Sequence, residues 1–583
     1  MRALRWGLPY VKKYKGRLIF GQFVNFINIV LLLVNPFLAG LIVANVIEGG
    51  QQELLPRYLG IMIGVTAYRS VARYLFLLLF ESTSQKVLFD LRRDVYNKLH
   101  IQNFGWFDKN RVGDTMSRMT GDLEAIRHFV AFDLYAIPEN VVLYFSAVIV
   151  ISTISLPLMG ALLVTTPFII YIAFKQSGEI RPAFRNVREE FSNLNSMCGE
   201  NIGGNRVVKA FTKEAYEVKK FNDVNQAFYD ANMSAAKVRI RYFPLIETAA
   251  ALLPWILLLL GGLLVIWGRL ELWQMVTVSG YLWMINNPTR MFTWCVNDLQ
   301  NAATSLDKIY EMMRQEIHIE NPENPARTGV ADGIVEFRDV SFKYNPFDSG
   351  AMVLNKISFK AEKGQTIGIV GETGSGKTTL VNMIARFYEA TDGEVLVDGV
   401  NVKEFDIPGL RSGIAYAMQD VFLYSDTVEG NIAFGVPDAP MEDVYRAADI
   451  ADANEFIRNM PEGYDTIVGE RGVGLSGGQK QRISLARAIA VNPSVLILDD
   501  VTSAVDMETE HRIQEALAEM KKTAERTTFI VAHRLSSVKD AHLIMVLDRG
   551  EITERGTHDE LMKLGGYYAK LFNEQREARH GGA

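Results

Sequence analysis

Six apolar stretches crowd the first half of this chain, near Leu18–Ile47, Leu59–Phe80, Leu134–Leu156, Leu158–Phe174, Phe243–Trp267 and Gln274–Cys295. About 20 apolar residues in a row are enough for a helix to cross a bilayer. In lipid every backbone N–H and C=O must be satisfied within the segment, so such stretches can only be helices. The pattern predicts an all-α domain of six spans over residues 1–313 and excludes a wholly soluble protein. Only a turn around Pro157 parts the third stretch from the fourth, which is the shortest. Asn286-Asn287-Pro288 predicts a kink in the sixth.

Lysine and arginine placement sets the orientation. The lead-in 1–17 holds six, the loop 81–128 eight and the loop 175–241 twelve; the segments 48–58, 152–160 and 268–273 hold one, none and one. Positive residues stay on the cytosolic side. Both termini and the two long loops are therefore expected in the cytosol, with the chain passing repeatedly through the inner (cytoplasmic) membrane and meeting membrane lipid along its spans. The basic N-terminus lacks a short apolar core followed by a small-residue cleavage site, so it reads as a lead-in to the first span and not as a signal peptide. Ser84–His100 and Glu189–Met233 carry apolar residues at helical spacing, which predicts spans extended as helices beyond the membrane. The loop tips near Asp114–Asp122 and Lys209–Glu214 are candidates to dock on a soluble domain.

A chain of 583 residues is too long for one core. Residues 314–333, with Pro322, Pro325 and Gly329, read as a linker. From Ile334 onward short β-branched strands alternate with helical segments, so residues 334–583 predict an α/β domain. The net charge of −6 is too mild to suggest a nucleic-acid partner. Cys198 and Cys295 have no metal-ligand spacing and read as free thiols.

The chemistry lies in this second part. Gly371-Glu372-Thr373-Gly374-Ser375-Gly376-Lys377-Thr378 fits the phosphate-cradling pattern G-x-x-x-x-G-K-[ST]. It follows the apolar strand Thr366–Val370 and precedes the helical run Leu380–Phe387, the context that the pattern requires. Its glycines let backbone N–H groups close on phosphates at a helix N-terminus. The loop, with Thr379 after it, therefore predicts a site for a nucleoside triphosphate, Lys377 reaching the β/γ-phosphates and the Thr378 hydroxyl ligating Mg²⁺. Asp499 ends the apolar strand Val495–Leu498. A lone carboxylate there is costly to bury unpaired, which assigns it to Mg²⁺. Leu475-Ser476-Gly477-Gly478-Gln479 opens the helical run Lys480–Ala490, a second anion site at a helix start.

Together these residues closely resemble the ATP-binding cassette (ABC) family, in the order of its exporters with fused membrane and nucleotide domains, over nearly the whole chain. The resemblance implies further roles. Tyr344 is similar to the aromatic that stacks on adenine, and Gly371–Thr378 to the Walker A loop. Gln419 matches the Q-loop glutamine, which senses Mg²⁺ and the membrane domain. Thr466–Gly472 resembles the exporter-specific loop, and Leu475–Gln479 the signature LSGGQ. Asp499 matches the Walker B aspartate, Ser503-Ala504-Val505-Asp506 the D-loop and His533 the switch histidine. In the membrane half, Phe107-Asp108, Gly113, Ser117-Arg118 and Asp122 follow the family's first intracellular loop, and Glu200, Gly204, Val207–Lys209 and Glu214 its second. The implied architecture is the six-helix exporter fold followed by a P-loop ATPase domain. Two such halves pair head to tail, and Ser476 and Gly478 complete the partner's ATP site.

One residue departs from the pattern. The family's usual base is a Glu directly after the Walker B Asp, and here it is Asp500. Asp is one methylene shorter, which withdraws the carboxylate by about 1 Å, and a misplacement of about 1 Å can cost ~10²-fold. The expectation is a site that binds ATP and hydrolyses it slowly, in a chain whose sound signature serves a homologous partner. A heterodimer is favoured and a competent homodimer is the alternative. Glu247 and Asn286, polar residues within spans, are candidate contacts for an amphiphilic small-molecule substrate. Asn25, Asn28, Asn35, Arg69, Arg73 and Glu139 are further polar residues in the spans. Efflux of drugs or other amphiphiles is the leading function. Lipid flipping and an ATP-clamp regulatory subunit are the rivals.

Overall fold

The computed structural model describes residues 2–344, 352–469, 472, 474–523 and 525–580. Glu470 and Arg471, in the expected loop Thr466–Gly472, lie outside them. Two compact units emerge: residues 1–100 with 112–315, and residues 101–111 with 316–583.

The first unit is helical. Leu55–His100, Thr165–Gly203, Glu214–Ile256 and Leu272–Arg314 are continuous helices of 46, 39, 43 and 43 residues. At 1.5 Å per residue the first is roughly 69 Å long, against a hydrocarbon core of roughly 30 Å. More than half of it thus runs beyond a membrane, as the apolar spacing of Ser84–His100 predicts. Among the described residues four helical runs are long and apolar enough to span: Lys15–Glu48, Gln52–His100, Val112–Ile154 and Glu214–Ile266. Leu156–Phe168 is a shorter apolar helix. The turn expected near Pro157 is present. Ser155 adopts an extended conformation that ends Leu134–Ile154, and its hydroxyl accepts from Leu158 N at 3.5 Å to start the next helix. Pro288 lies inside the unbroken helix Leu272–Arg314.

Several polar residues of the spans are paired. Arg73 Nη1 meets Glu139 Oε1 at 2.9 Å, and Asn25 donates to the other oxygen of Glu139 at 3.2 Å. Asn35 donates to Thr66 at 3.1 Å. These contacts tie neighbouring helices together in the way small polar groups do in membranes.

The second unit contains a segment from the first half of the sequence. Ile101–Arg111 belongs to it, ahead of the tip expected at Asp114–Asp122. The reason is the apolar content of the shorter segment. Phe104 stacks on Phe387 with ring centroids 4.4 Å apart, Trp106 is buried, and Tyr388 donates its hydroxyl to Asp108 at 2.6 Å. Residues 114–122 offer little to bury. Asp122 instead turns into the helical unit, where Ser305 donates to it at 2.8 Å and Lys308 pairs with it at 3.2 Å. Lys209–Glu214 also lies in the helical unit.

The rest of the second unit holds two sheets. A four-stranded antiparallel sheet runs Leu354–Ala361, Val335–Phe342, Asp392–Val397, Val400–Asn401. A six-stranded sheet runs Glu551–Gly556, Leu543–Asp548, Thr366–Gly371, Thr527–Val531, Val495–Asp499, Ile414–Ala417. Its last five strands are parallel and its first is antiparallel. Every residue of Val495–Asp499 is buried, which explains the unbroken apolar run of that strand.

Candidate functional site

Register decides what the parallel sheet brings together. Asp499 is opposite Val531, Val531 is opposite Ile369, and Ala417 is opposite Leu498. Neighbouring strands lie about 4.8 Å apart, so four strands end along one edge. Past that edge the chain continues into the loop at Gly371, into Gln419, into Asp500 and into His533. Ligands of open α/β sheets bind outside such carboxyl ends.

The loop after Thr366–Gly371 needs its glycines. Gly371 has φ +152°, and a Cβ on it would lie 2.1 Å from the Leu547 carbonyl oxygen; Gly376 has φ +102°, with the Val353 carbonyl oxygen 2.8 Å away. The helix Lys377–Ile384 starts immediately after, with donors facing the loop. Lys377 is buried, and its ammonium donates to the Gly371 and Glu372 carbonyls at 2.9 and 2.7 Å. Burial holds that ammonium below its ordinary pKa, while Asp499 and Asp500 pull the other way. The Ser375 hydroxyl is buried and has no hydrogen-bond partner among the described residues. An orphaned hydroxyl, a lysine bound only to loop carbonyls and a glycine-lined loop all fit a bound phosphate chain.

Asp499 is 2% exposed. Thr378 donates to one of its oxygens at 3.2 Å and Tyr416 to the other at 3.1 Å. Burial pushes its carboxyl above the ordinary range, with the nearby Asp500 adding to the shift. A divalent cation beside Thr378 and Asp499 would supply the missing positive charge, so these residues suit Mg²⁺. Tyr416 had no signal in the sequence. Burial and Asp499 raise its own pKa, so it keeps its proton and orients the carboxylate.

Asp500 is in the left-handed region, with φ +51°. Its backbone is held on both sides. Its N–H donates to Val531 O at 3.0 Å, and its carbonyl accepts from Ser503 Oγ at 3.1 Å. Tyr344 shares a hydrogen bond of 2.7 Å with Thr379 and presents its ring edge-on to Phe342 and Tyr388. Gln419 and His533 are exposed; the His533 carbonyl accepts from Gln575 at 2.9 Å.

The glycine-rich helix start lies against the turn after Asp500. Ser476 and Gln479 cap Gly477–Ala490 reciprocally: Gln479 N donates to Ser476 Oγ at 3.2 Å, and Ser476 N to Gln479 Oε1 at 2.9 Å. A Cβ on Gly478 would approach Ala504 O to 2.9 Å. Gln481 fastens this helix to the turn, donating to Ser503 Oγ and accepting from Ala504 N, each at 3.0 Å. Asp506 accepts from Thr509 N at 3.0 Å and begins the helix Met507–Thr523. That hydrogen bond holds its carboxyl below the ordinary range.

Two matches cover most of the chain. Residues 18–289 match the ABC transporter transmembrane region, and residues 354–503 match the ABC transporter family. Over 571 residues the chain is 36% identical to the uncharacterized ABC transporter ATP-binding protein YknU of Bacillus subtilis, covering 97% of this chain and 96% of that protein. The chain belongs to the ABC transporter family. It is an exporter with fused transmembrane and ATP-binding domains. It is also 34% identical to the putative multidrug export ATP-binding/permease protein YgaD of Bacillus subtilis, over 99% of this chain and all of that one. A solved bacterial Atm1-family ABC exporter with ATP bound superposes with a TM-score of 0.81 at 25% identity, over 96% of this chain and 99% of that one.

In the exporter a further network follows the turn. Glu510, 3% exposed, pairs with Arg534 at 2.8 Å and accepts from Ser537 at 2.6 Å, and Arg534 also donates to the Val505 carbonyl at 3.0 Å. The turn Ser503–Asp506 and the segment after His533 are thus one hydrogen-bonded piece. Glu510→Ala takes the shared acceptor away from the part-exposed Arg534 and from Ser537. It should destabilise the α/β unit by about 1–2 kcal/mol, seen as a melting temperature lower by roughly 5 °C in the full-length exporter. A melt unchanged within error would show that the network carries no stability. In the helical unit Glu247 lies on Glu214–Ile256 and Asn286 on Leu272–Arg314. Asn286 Oδ1 is buried without a hydrogen-bond donor among the described residues.

Proposed function

We propose that this chain is one half of a dimeric exporter of the cytoplasmic membrane, with cytosolic termini, that expels drugs or other amphiphilic compounds. We infer that its own Walker motifs, Gly371–Thr379 with Asp499 and Asp500, bind Mg²⁺-ATP and hydrolyse it slowly. The observation that carries the reading is Asp500 in the place of a catalytic glutamate, beside an intact signature at Leu475–Gln479. A half of this kind gives a competent partner its signature and keeps a holding site for itself. The efflux reading is supported by relatives such as YgaD that are named putative multidrug export proteins. Substrate contacts are assigned to Glu247 and Asn286.

The test is ATP turnover in lipid nanodiscs, for the chain alone and with a homologous half that carries Glu after its Walker B aspartate. The chain alone should bind ATP with little turnover. The pair should turn over ATP faster when a cationic amphiphilic dye is added. Brisk turnover by the chain alone would instead indicate a competent homodimer. Stimulation by lipid and not by dye would indicate a flippase.

A further inference from the structure

Away from the ATP site, three side chains with metal-ligating atoms meet beside the ends of two apolar stretches. His128 Nδ1 is 3.7 Å from Asp133 Oδ2 and 3.8 Å from Asp298 Oδ2. The candidate donor atoms of these three residues all lie within 4.8 Å of one another. Cys295, buried and free, lies near Asp133 but outside this group. Asp133 directly precedes the stretch Leu134–Leu156, and Cys295 closes the stretch Gln274–Cys295.

The backbone explains the convergence. In an α-helix, residues five apart point about 140° away from each other, which would separate His128 from Asp133. Here Phe129–Asp133 is a π-helical turn, with i→i+5 hydrogen bonds that bring positions five apart toward one face. On the opposing helix Leu272–Arg314, Cys295 and Asp298 are three apart and share a face. His128 is further held against the Phe132 ring, with centroids 5.8 Å apart.

Asp133 shows that this is more than a group of acids. Its side chain is fully buried, and neither carboxylate oxygen has a hydrogen-bond partner of good geometry among the described residues. Among the described residues, the ion pairs of Asp133 and Asp298 are those with His128, and no Lys or Arg pairs with either. Two carboxylates, one of them fully buried, meet an imidazole with no Lys or Arg paired to them, and a cation would supply the missing positive charge.

We propose that His128, Asp133 and Asp298 bind a divalent transition metal such as Zn²⁺, with water completing its coordination, and clamp the third apolar helix to the sixth. Mixed nitrogen and oxygen donors select a borderline cation over Mg²⁺ or Ca²⁺. Zn²⁺ takes four such ligands at about 2.0–2.3 Å. That geometry places donors roughly 3.3 Å apart, so the imidazole and carboxylates need only side-chain adjustments to close on the ion. Binding takes one lone pair from each ligand.

The test uses the full-length chain in nanodiscs, purified without a histidine tag, stripped with chelator and kept free of nucleotide. Zn²⁺ alone is titrated, and bound metal is counted by mass spectrometry. Wild type should hold one more Zn²⁺ per chain than Asp133→Asn. Both Asp133→Asn and His128→Ala should weaken that site at least ~10-fold. His128 is half exposed, so its replacement keeps the fold and carries the test should Asp133→Asn misfold. Equal zinc content and affinity in wild type and His128→Ala would overturn the proposal.

Discussion

Asp500→Glu should raise ATP turnover of the assembled transporter by about 10–10²-fold at the site that this chain's Walker motifs form. The range follows from the ~10²–10⁴-fold worth of a positioned general base and the ~10²-fold cost of about 1 Å of misplacement. The backbone at this position cannot advance to make up for the shorter side chain. Asp500 N–H is bound to Val531 and its carbonyl to Ser503, and the strand before it is buried between two neighbours. The added methylene is therefore the only way to deliver the carboxylate. A cost accompanies the gain, because the left-handed conformation at φ +51° favours Asp and Asn over Glu. The variant should melt slightly lower while turning over faster. The measurement is phosphate release by the pair, with the partner's glutamate changed to Gln so that only this site contributes. Turnover unchanged from Asp500 under those conditions would sink the slow-site reading.

Lys377→Ala should cost about 10²–10³-fold in turnover at the same site, the scale seen when one preorganised donor to a developing charge is removed. The ammonium is buried, and it donates to the Gly371 and Glu372 carbonyls. Those two carbonyls keep it pointed along the loop without neutralising it. The same substitution should weaken ATP binding, readable with a fluorescent ATP analogue in the absence of turnover. Removing the side chain leaves two carbonyls without their donor, so a modest fall in melting temperature should accompany the loss. Undiminished nucleotide affinity would mean that Lys377 does not face phosphate.

The site was legible in the sequence wherever backbone chemistry demands particular residues at fixed spacing. A loop in which a Cβ at Gly371 would strike the Leu547 carbonyl can hold only glycine, so Gly371–Thr378 is visible from sequence alone. The same holds for Ser476 and Gln479, whose reciprocal cap requires their spacing of three. Tyr416 was not legible, because its partner Asp499 is 83 residues away and joined to it only by sheet register. Gln481 and Glu510 were missed because each works by fastening one loop to another, and a lone polar residue on a helix gives no hint of that. In the helical unit the lengths of the extended helices followed from apolar spacing. The docking segment did not. It was sought among the polar residues 114–122, whereas the stacking of Phe104 on Phe387 and the burial of Trp106 select Ile101–Arg111.

That eleven-residue piece, 101–111, makes the ATPase head a mosaic of two distant parts of the gene. A fragment cut at the linker would present Phe387 and Tyr388 bare, without the ring of Phe104 or the carboxylate of Asp108. Heads exchanged between related transporters at that cut would inherit a foreign plug. A chimera that carries its own 101–111 along with its head keeps the seat and its occupant matched.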